Sequence, residues 1–309
     1  MITVQGLSNY DNLHPSVVTI GTFDGVHVGH RKIIDRLIED GRRLNLQSTL
    51  LTFFPHPRMV LQKHSQLKLL NSIEEKSEIL RDLGLECLVI HPFTMEFSRM
   101  TAKKFVREVL VEKLRVKKVI IGYDHRFGRN RNADIQDLRS FGNLLDFAVE
   151  EIPAQEIDAV SVSSTKIRNA LGTGDLKTAN SYLGYDYMLS GTVARGKKLG
   201  RDLGFPTANL NVAADYKLIP ASGVYVVRSM INGKQHHGMM NIGTNPTVGG
   251  SGQHIEIHFF DYQGDLYGSS LQVALLGRIR DEQKFNSLEE LTAQLKRDRE
   301  HALGLIHKL

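Results

Sequence analysis

Two histidines three residues apart close the run Gly21-Thr-Phe-Asp-Gly-Val-His27-Val-Gly-His30. The run follows an apolar segment, SVVTIGTF (16–23), and precedes an amphipathic one, so it reads as the turn from a buried strand into a helix. A helix N-terminus presents unpaired N–H groups that suit phosphate, and Gly21, Gly25 and Gly29 let the backbone approach closely. Imidazoles placed there, as cations or as neutral donors, can stabilise charge developing on a pentavalent phosphorus without a covalent role. The same pair also fits a fragment of a metal site or a solvated helix start. Further on, Val162-Ser-Ser164-Thr165-Lys-Ile-Arg168 opens another helix with hydroxyls and two cations, which suits an anion or an ordinary N-cap.

A second constellation is Gly191-Thr-Val-Ala-Arg195-Gly196-Lys-Lys198-Leu-Gly200-Arg201-Asp-Leu-Gly204-Phe-Pro206-Thr207-Ala-Asn209. Glycines at this density beside four cations cost chain entropy, and they make a plausible phosphate cradle. The pattern is neither a Walker A loop nor a dinucleotide-binding fingerprint. Thr207 and Asn209 lie two apart, so in an extended segment both oxygens project to one side and can share a hard cation such as Mg²⁺. Taken alone, Pro-Thr-Ala-Asn also reads as a turn.

The elements that must carry these groups change character along the chain. Apolar runs at 16–23, 48–54, 86–93, 118–124 and 145–153 alternate with amphipathic segments, which predicts a parallel sheet with crossover helices. Ile33, Ile34, Leu37 and Ile38 share one helical stripe, Ser72 with Glu75 forms a capping box, and Phe105, Val106, Val109 and Leu110 recur at helical spacing. Beyond 184–190 short glycine-broken strands take over, with Asn232-Gly233 as a hairpin turn, and they predict a closed or nearly closed antiparallel barrel. A last helix follows, capped by Ser287 with Glu290, its apolar face formed by Leu288, Leu291, Leu295, Ala302, Leu303 and Ile306. The expected division is therefore 1–184, an α/β domain, and 185–309, a β domain with a terminal helix.

The 309 residues, 41% hydrophobic and 24% charged, exclude a disordered or fibrous chain. The net charge of +5 divides almost evenly, +3 through Gly184 and +2 beyond, so neither half reads as a basic nucleic-acid module. Two basic clusters, Arg126/Arg129/Arg131 and Arg195/Lys197/Lys198/Arg201, stand beside glycines and suit a compact anion better than a long polyanion. No apolar run approaches a membrane span, and the N-terminus lacks a secretory signal, so a cytoplasmic protein without membrane or nucleic-acid partners is expected. The single cysteine, Cys87, reads as a small core residue.

The first constellation resembles the His-x-Gly-His signature of the nucleotidyltransferase superfamily, with 162–168 as its second, Ser/Thr/Lys-rich element. The second resembles the signature of riboflavin kinase, and the order of the two halves is similar to the bacterial bifunctional riboflavin kinase/FAD synthetase family. The likeness extends to Pro55-His56-Pro57, Gly122-Tyr-Asp124-His-Arg-Phe-Gly128, Pro220-Ala-Ser-Gly-Val-Tyr225, Asn241-Ile-Gly-Thr-Asn-Pro-Thr247, Asp265-Leu-Tyr-Gly268 and Arg278-Ile-Arg280-Asp-Glu282-Gln-Lys-Phe285.

That resemblance implies a Rossmann-like nucleotidyltransferase domain and a small Greek-key-type barrel. The barrel would phosphorylate riboflavin to FMN with ATP, and the N-terminal domain would adenylylate FMN to FAD. Glu256 would be the kinase general base, accepting the proton of the riboflavin 5′-hydroxyl. Read without the resemblance, Glu256 is a polar outward residue of a half-buried strand. The resemblance also puts Gly191, Gly196, Lys198, Gly200, Gly204, Pro206, Thr207 and Asn209 around ATP, with Thr207 and Asn209 on Mg²⁺, and Arg280, Glu282 and Phe285 on the flavin. In the first domain His27 and His30 would serve adenylyl transfer. Gly21, Thr22, Phe23, Asp24, Gly29, Asp124, Ser164, Thr165 and Arg168 would hold nucleotide there, and Pro55, His56 and Pro57 would enclose flavin.

Two positions depart from the family pattern: Phe54 replaces the usual acid before Pro-His-Pro, and His125 stands where Phe is common. The expected partners are riboflavin, FMN, FAD and ATP/ADP, with the chain a monomer or weak homo-oligomer. One alternative is a kinase whose N-terminal domain binds nucleotide but has weakened chemistry. Another is a non-enzymatic flavin- or RNA-associated protein, which the even charge split argues against.

Overall fold

The computed structural model describes residues 1–11, 14–62, 64–123, 125–153, 162–195, 204–247 and 250–308. The chain forms two compact units, Met1–Ser163 and Ser164–Leu309. The shift in composition near 184 lies further along, because two helices that follow Ser163 group with the second unit.

In the first unit, β1 (Ile2–Gln5), β2 (Ser16–Ile20), β3 (Gln47–Phe53), β4 (Cys87–His91), β5 (Val116–Gly122) and β6 (Ala148–Ile152) pair in the order β1-β4-β3-β2-β5-β6. Every adjacent pair is parallel. The sheet is therefore the one expected, with an added edge strand, β1, too short and exposed to show as an apolar run. After β2 the chain builds outward to β3 and β4, then returns to place β5 on the other side of β2. Ligands of open α/β sheets bind at such a reversal, beyond the carboxyl ends of the strands, and the Gly21–His30 run leaves β2 there.

Helix α1 (Val28–Leu44) buries the predicted stripe Ile33, Ile34, Leu37 and Ile38 and stops at Asn45, whose left-handed backbone (φ 53°) ends the ladder. α2 (Pro57–Leu61) is a single turn, and α3 (Ile73–Asp82) carries the complete Ser72/Glu75 capping box. Short α4 (Met95–Ser98) and α5 (Ala102–Lys104) precede a π-helical stretch, Phe105–Lys113. Phe105, Val106, Val109 and Leu110 are all buried as expected. The turns are wider than α-helical, and the Leu114 N–H bonds back five residues to Val109. α6 (Ile135–Leu145) completes the unit. Cys87 is buried in β4, and burial pushes its thiol up to about 11, as suits a core residue.

The second unit begins with α7 (Ser164–Thr173) and α8 (Leu176–Leu183). β7 (Met188–Ala194), β8 (Ala208–Asn211), β9 (Gly223–Ile231), β10 (Lys234–Thr247), β11 (Gly250–Phe259) and β12 (Ser270–Arg280) form a closed barrel in the order β10-β11-β8-β7-β12-β9. The Asn232-Gly233 hairpin joins β9 to β10, both residues at positive φ, as a tight primed turn requires. α9 (Leu288–Ile306) closes the chain. Its burial corrects the expected apolar face: Leu288 is 63% exposed, while Asp298 and Ala302 are the residues fully covered.

One charged network fixes α1 to the sheet. Asp40, fully buried, accepts from Lys118 of β5 at 2.5 Å and from Arg43, while Lys118 also pairs with Glu150 of β6, which Arg36 holds at 2.8 Å. Burial alone would raise the Asp40 carboxyl, but the bonds from Lys118 and Arg43 outweigh it and hold it below its ordinary value. Asp40→Asn should therefore cost about 3 kcal/mol at pH 7, measured as the drop in the urea unfolding midpoint of the first unit. Because the folded-state value is depressed, this contribution is whole above the ordinary carboxylate range and fades as pH falls through the folded-state value. The gap between variant and wild type should narrow in acid; an unchanged midpoint at pH 7 would show that the network only breaks even.

Candidate active sites

The turn from β2 into α1 is tightly constrained. Phe23 (φ 45°), Gly25 (88°) and Val26 (37°) take left-handed backbone, which the two non-glycine residues hold only because their side chains are buried. The Thr22 carbonyl accepts from Thr52 Oγ1 at 3.2 Å and from Lys76 Nζ at 2.7 Å. Asp24, 2% exposed, accepts the Leu70 N–H at 2.9 Å. Gly21 is half-buried with the Phe23 ring against it, Thr22 is half-buried, and Gly29 is buried in the first turn of α1.

His27 is the N-cap of α1: its Nδ1 accepts the His30 N–H at 3.4 Å, which leaves Nε2 as the protonated, donating nitrogen. The two imidazoles stack, centroids 3.6 Å apart and 16° from parallel, and the Phe23 ring lies 4.7 Å from His30. Burial pushes His27 down to about 4 despite the nearby Asp24, and His30 lies well below 6.5 through burial and the proximity of His27 and Lys76. Both rings are therefore neutral at pH 7, which selects donors over cations. His30 Nδ1 is buried with no hydrogen-bond partner among the described residues, a cost that sites retain for function.

Pro55-His56-Pro57 follows β3. His56 caps α2 by accepting the Arg58 N–H at 3.1 Å, Pro55 is exposed, and His56 and Pro57 are half-buried. A file of aromatic rings starts beside this turn: Phe53 with Phe97 at 5.5 Å, Phe97 with Phe105 at 6.2 Å, Phe105 with Phe127 at 6.0 Å, and His125 nearly parallel to Phe127 at 6.2 Å. His125 thus packs as an aromatic ring in the place the family gives to Phe. Asp124 lies outside the described residues. Ser164 and Arg168, half-buried, and Thr165, exposed, stand on the first turns of α7 in the second compact unit.

In the barrel, strand register builds the site. Glu256 of β11 stands opposite Asn209 of β8 on one side and Asn241 of β10 on the other, and directly opposed residues share a sheet face. The row continues through Val224 of β9 to Arg280 of β12. Glu256, Asn209 and Asn241 are half-buried, whereas Ile255 and Ile257, which alternate with Glu256, fill the interior. His258, two residues on, donates from Nδ1 to the Pro206 carbonyl at 2.9 Å and meets the Phe205 ring, so it supports the segment that carries Thr207. A cavity of about 480 Å³ opens beside Thr207, lined also by Val193, Tyr262, Asp265 and Tyr267, with the Arg195 guanidinium 5.8 Å from the Tyr267 ring.

Several expected ligand residues have packing roles. An added Cβ on Gly191 would run into the Asn211 carbonyl, so the barrel wall itself requires glycine there. Gly204, at φ 79°, and Pro206 shape the exposed turn before β8, while Gly196, Lys198 and Gly200 lie outside the described residues. Arg280 makes a two-pronged pair with Asp298 of α9 (2.7 to 3.0 Å), itself 2% exposed, and lies 5.7 Å over the Phe285 ring. Glu282 Oε1 and the His254 ring both lie close to Gly243. Sequence reasoning gave no site role to Lys76, Asn241 or Asp298. Asn241 had a usable signal in the alternation of its strand; the other two are single charges inside amphipathic helices.

Known proteins match almost the whole chain. The family model for FAD synthetase matches residues 9–166 and that for riboflavin kinase matches 183–306. A bifunctional riboflavin kinase/FMN adenylyltransferase of Listeria monocytogenes is 38% identical over 295 residues, 95% of this chain and 93% of that protein. The protein of the same description from Escherichia coli is 39% identical over 301 residues, 96% of each. A crystal structure from Streptococcus pneumoniae, titled a macrolide-efflux protein, superposes with a TM-score of 0.88 at 32% identity, covering 97% of this chain and 98% of that one. No helix among the described residues is long and apolar enough to cross a membrane. With both family models in tandem and relatives matched along almost their whole length, the chain belongs to the bifunctional riboflavin kinase/FMN adenylyltransferases.

Proposed function

We propose that this chain makes FAD in two ATP-dependent steps: the barrel phosphorylates riboflavin to FMN, and the N-terminal domain adenylylates FMN with release of pyrophosphate. The observation that carries the kinase assignment is the register that sets Glu256 beside Asn209. Glu256 accepts the proton of the riboflavin 5′-hydroxyl as that oxygen attacks the γ-phosphoryl of ATP. It suits the role because it is half-buried and flanked by neutral amides rather than by a cation.

A divalent ion fits the same place. Among the described residues no cluster of three His, Cys, Asp or Glu side chains forms a metal cage. Thr207 and Asn209 instead offer neutral hard oxygens, the donor set Mg²⁺ takes when nucleotide phosphates complete its shell. When bound, it would neutralise phosphate charge. The cavity beside Thr207, with Arg195 at its edge, is the matching place for nucleotide.

For adenylyl transfer, the FMN phosphate needs no deprotonation at pH 7, so positioning and charge stabilisation carry the step. His27 donates from Nε2, and His30, also neutral, donates from the nitrogen that bears its proton, to the α-phosphate at the start of α1. Thr22, Phe23, Asp24 and Gly29 shape that pocket. Pro55, His56 and Pro57, beside the aromatic file, cover the flavin. The neutral, stacked histidines make a weakened N-terminal domain the poorer reading.

Glu256→Gln should lower FMN formation from riboflavin and ATP by about 10² to 10⁴-fold. FAD formation from supplied FMN should stay near the wild-type rate; parallel loss of both would refute separate sites. Conversely, His30→Ala should cut pyrophosphate release with FMN and ATP by about 100-fold or more. Riboflavin phosphorylation by the same variant should be unaffected, and an equal fall in the two activities would sink the partition.

A further inference from the structure

The most buried cation beside the adenylylation site has no place in the chemistry above. Lys76, 4% exposed, projects from α3 and donates to the Thr22 carbonyl at 2.7 Å. An ammonium is almost never buried without a purpose or a partner. Its helix is fixed at the N-terminus by the Ser72/Glu75 capping box, one turn before Lys76, so the side chain issues from a rigid base. The carbonyl it holds begins the turn in which Phe23, Gly25 and Val26 adopt left-handed backbone. Thr52, from β3, gives the same carbonyl a second, uncharged hydrogen bond.

The titratable groups around His30 come from three places: His27 at the start of α1, Asp24 in the turn, and Lys76 from α3. Asp24 is the anion that offsets the ammonium, and its carboxylate is held by the Leu70 N–H. In so dry a cluster a second positive charge on an imidazole would face the fixed one with little screening. Burial lowers Lys76 itself to about 8, with Asp24 opposing, so it remains mostly charged at neutral pH.

We propose that Lys76 is a positioning residue for adenylyl transfer: its ammonium clamps the Thr22 carbonyl, fixing the turn that delivers His27 and His30, and stands as a fixed positive charge beside His30. The clamp acts through Thr22, without contact between Lys76 and substrate. A triphosphate arriving at α1 then meets two neutral N–H donors at fixed positions, with no proton to lose first. This deepens the assignment of His27 and His30 to adenylyl transfer and rests on it.

Lys76→Met keeps an unbranched side chain, one atom shorter, and removes its charge. FAD formation from FMN and ATP should fall about 100-fold at pH 7.5, the loss expected when a reacting group moves by about 1 Å. The acid limb of its pH profile should move to higher pH, because His30 then protonates more readily, while riboflavin phosphorylation stays at the wild-type rate. Thr52→Val removes the uncharged bond to the same carbonyl, so it should lower the rate without moving the acid limb. FAD formation within twofold of wild type in Lys76→Met, or an acid limb displaced as far by Thr52→Val, would overturn the proposal.

Histidine NMR titration of the ligand-free wild-type protein tests the electrostatic half without relying on the variant to fold. His30 should stay neutral well below the ordinary imidazole range, and protonation within that range would count against the proposal. His30→Ala separates the two levels: full FAD formation by that variant would remove the assignment itself, whereas wild-type FAD formation by Lys76→Met beside a crippled His30→Ala would remove only the clamp.

Discussion

β2 is buried along its entire length between β3 and β5, and the first unit's chemistry hangs from its carboxyl end. A strand with no exposed residue leaves room for a ligand and the groups that meet it only where it stops, and the sheet order reverses at that point. Chain leaving β2 must turn sharply into α1, which forces the left-handed residues and brings N–H groups and imidazoles to one place. Burial then sets their ionisation. Desolvation, more than any charged neighbour, keeps the two histidines neutral, so the dryness that made the fold also prepares the donors.

The barrel solves the same problem by register. Side chains alternate between interior and exterior, so a reactive row needs only that polar residues of adjacent strands fall opposite one another. Asn209, Glu256 and Asn241 do so, and a slip of one residue in β11 would turn Glu256 into the apolar interior and expose Ile257. Pairings far from the row therefore bear on it: the Asn232-Gly233 turn sets β10 against β9, and the Arg280–Asp298 pair ties the far end of the row to α9.

Much of this was legible in the sequence because local rules govern it. Strand-to-helix turns, the Ser72/Glu75 capping box, a two-residue hairpin and alternating strands need only neighbours along the chain, and they appear where they were expected. Long-range features were not legible. Lys76 and Asp298 look like ordinary solvated charges of amphipathic helices until tertiary packing covers them, and Leu288 sits on the predicted apolar stripe but at the first turn, beyond the barrel's cover. Gly191 also carries a packing constraint, the close approach of β8, that no spacing encodes. The π-helical turns after α5 keep the predicted residues buried while changing the hydrogen-bond ladder, so the pattern of burial was readable and the geometry was not.

The two units also differ in how they meet other chains. A closed barrel has no strand edge to offer, but the open sheet ends in β1 and β6, each a row of backbone groups that another strand could template. β1 is only four residues long. β6 is five, and its central carboxylates are engaged, Glu150 by Arg36 and Lys118 and Glu151 by Arg139 at 3.1 Å. An incoming strand would have to lie against these anchored charges and strip their water for the return of a few hydrogen bonds. The ion pairs that fasten α1 to the sheet thus double as a guard against edge-to-edge aggregation.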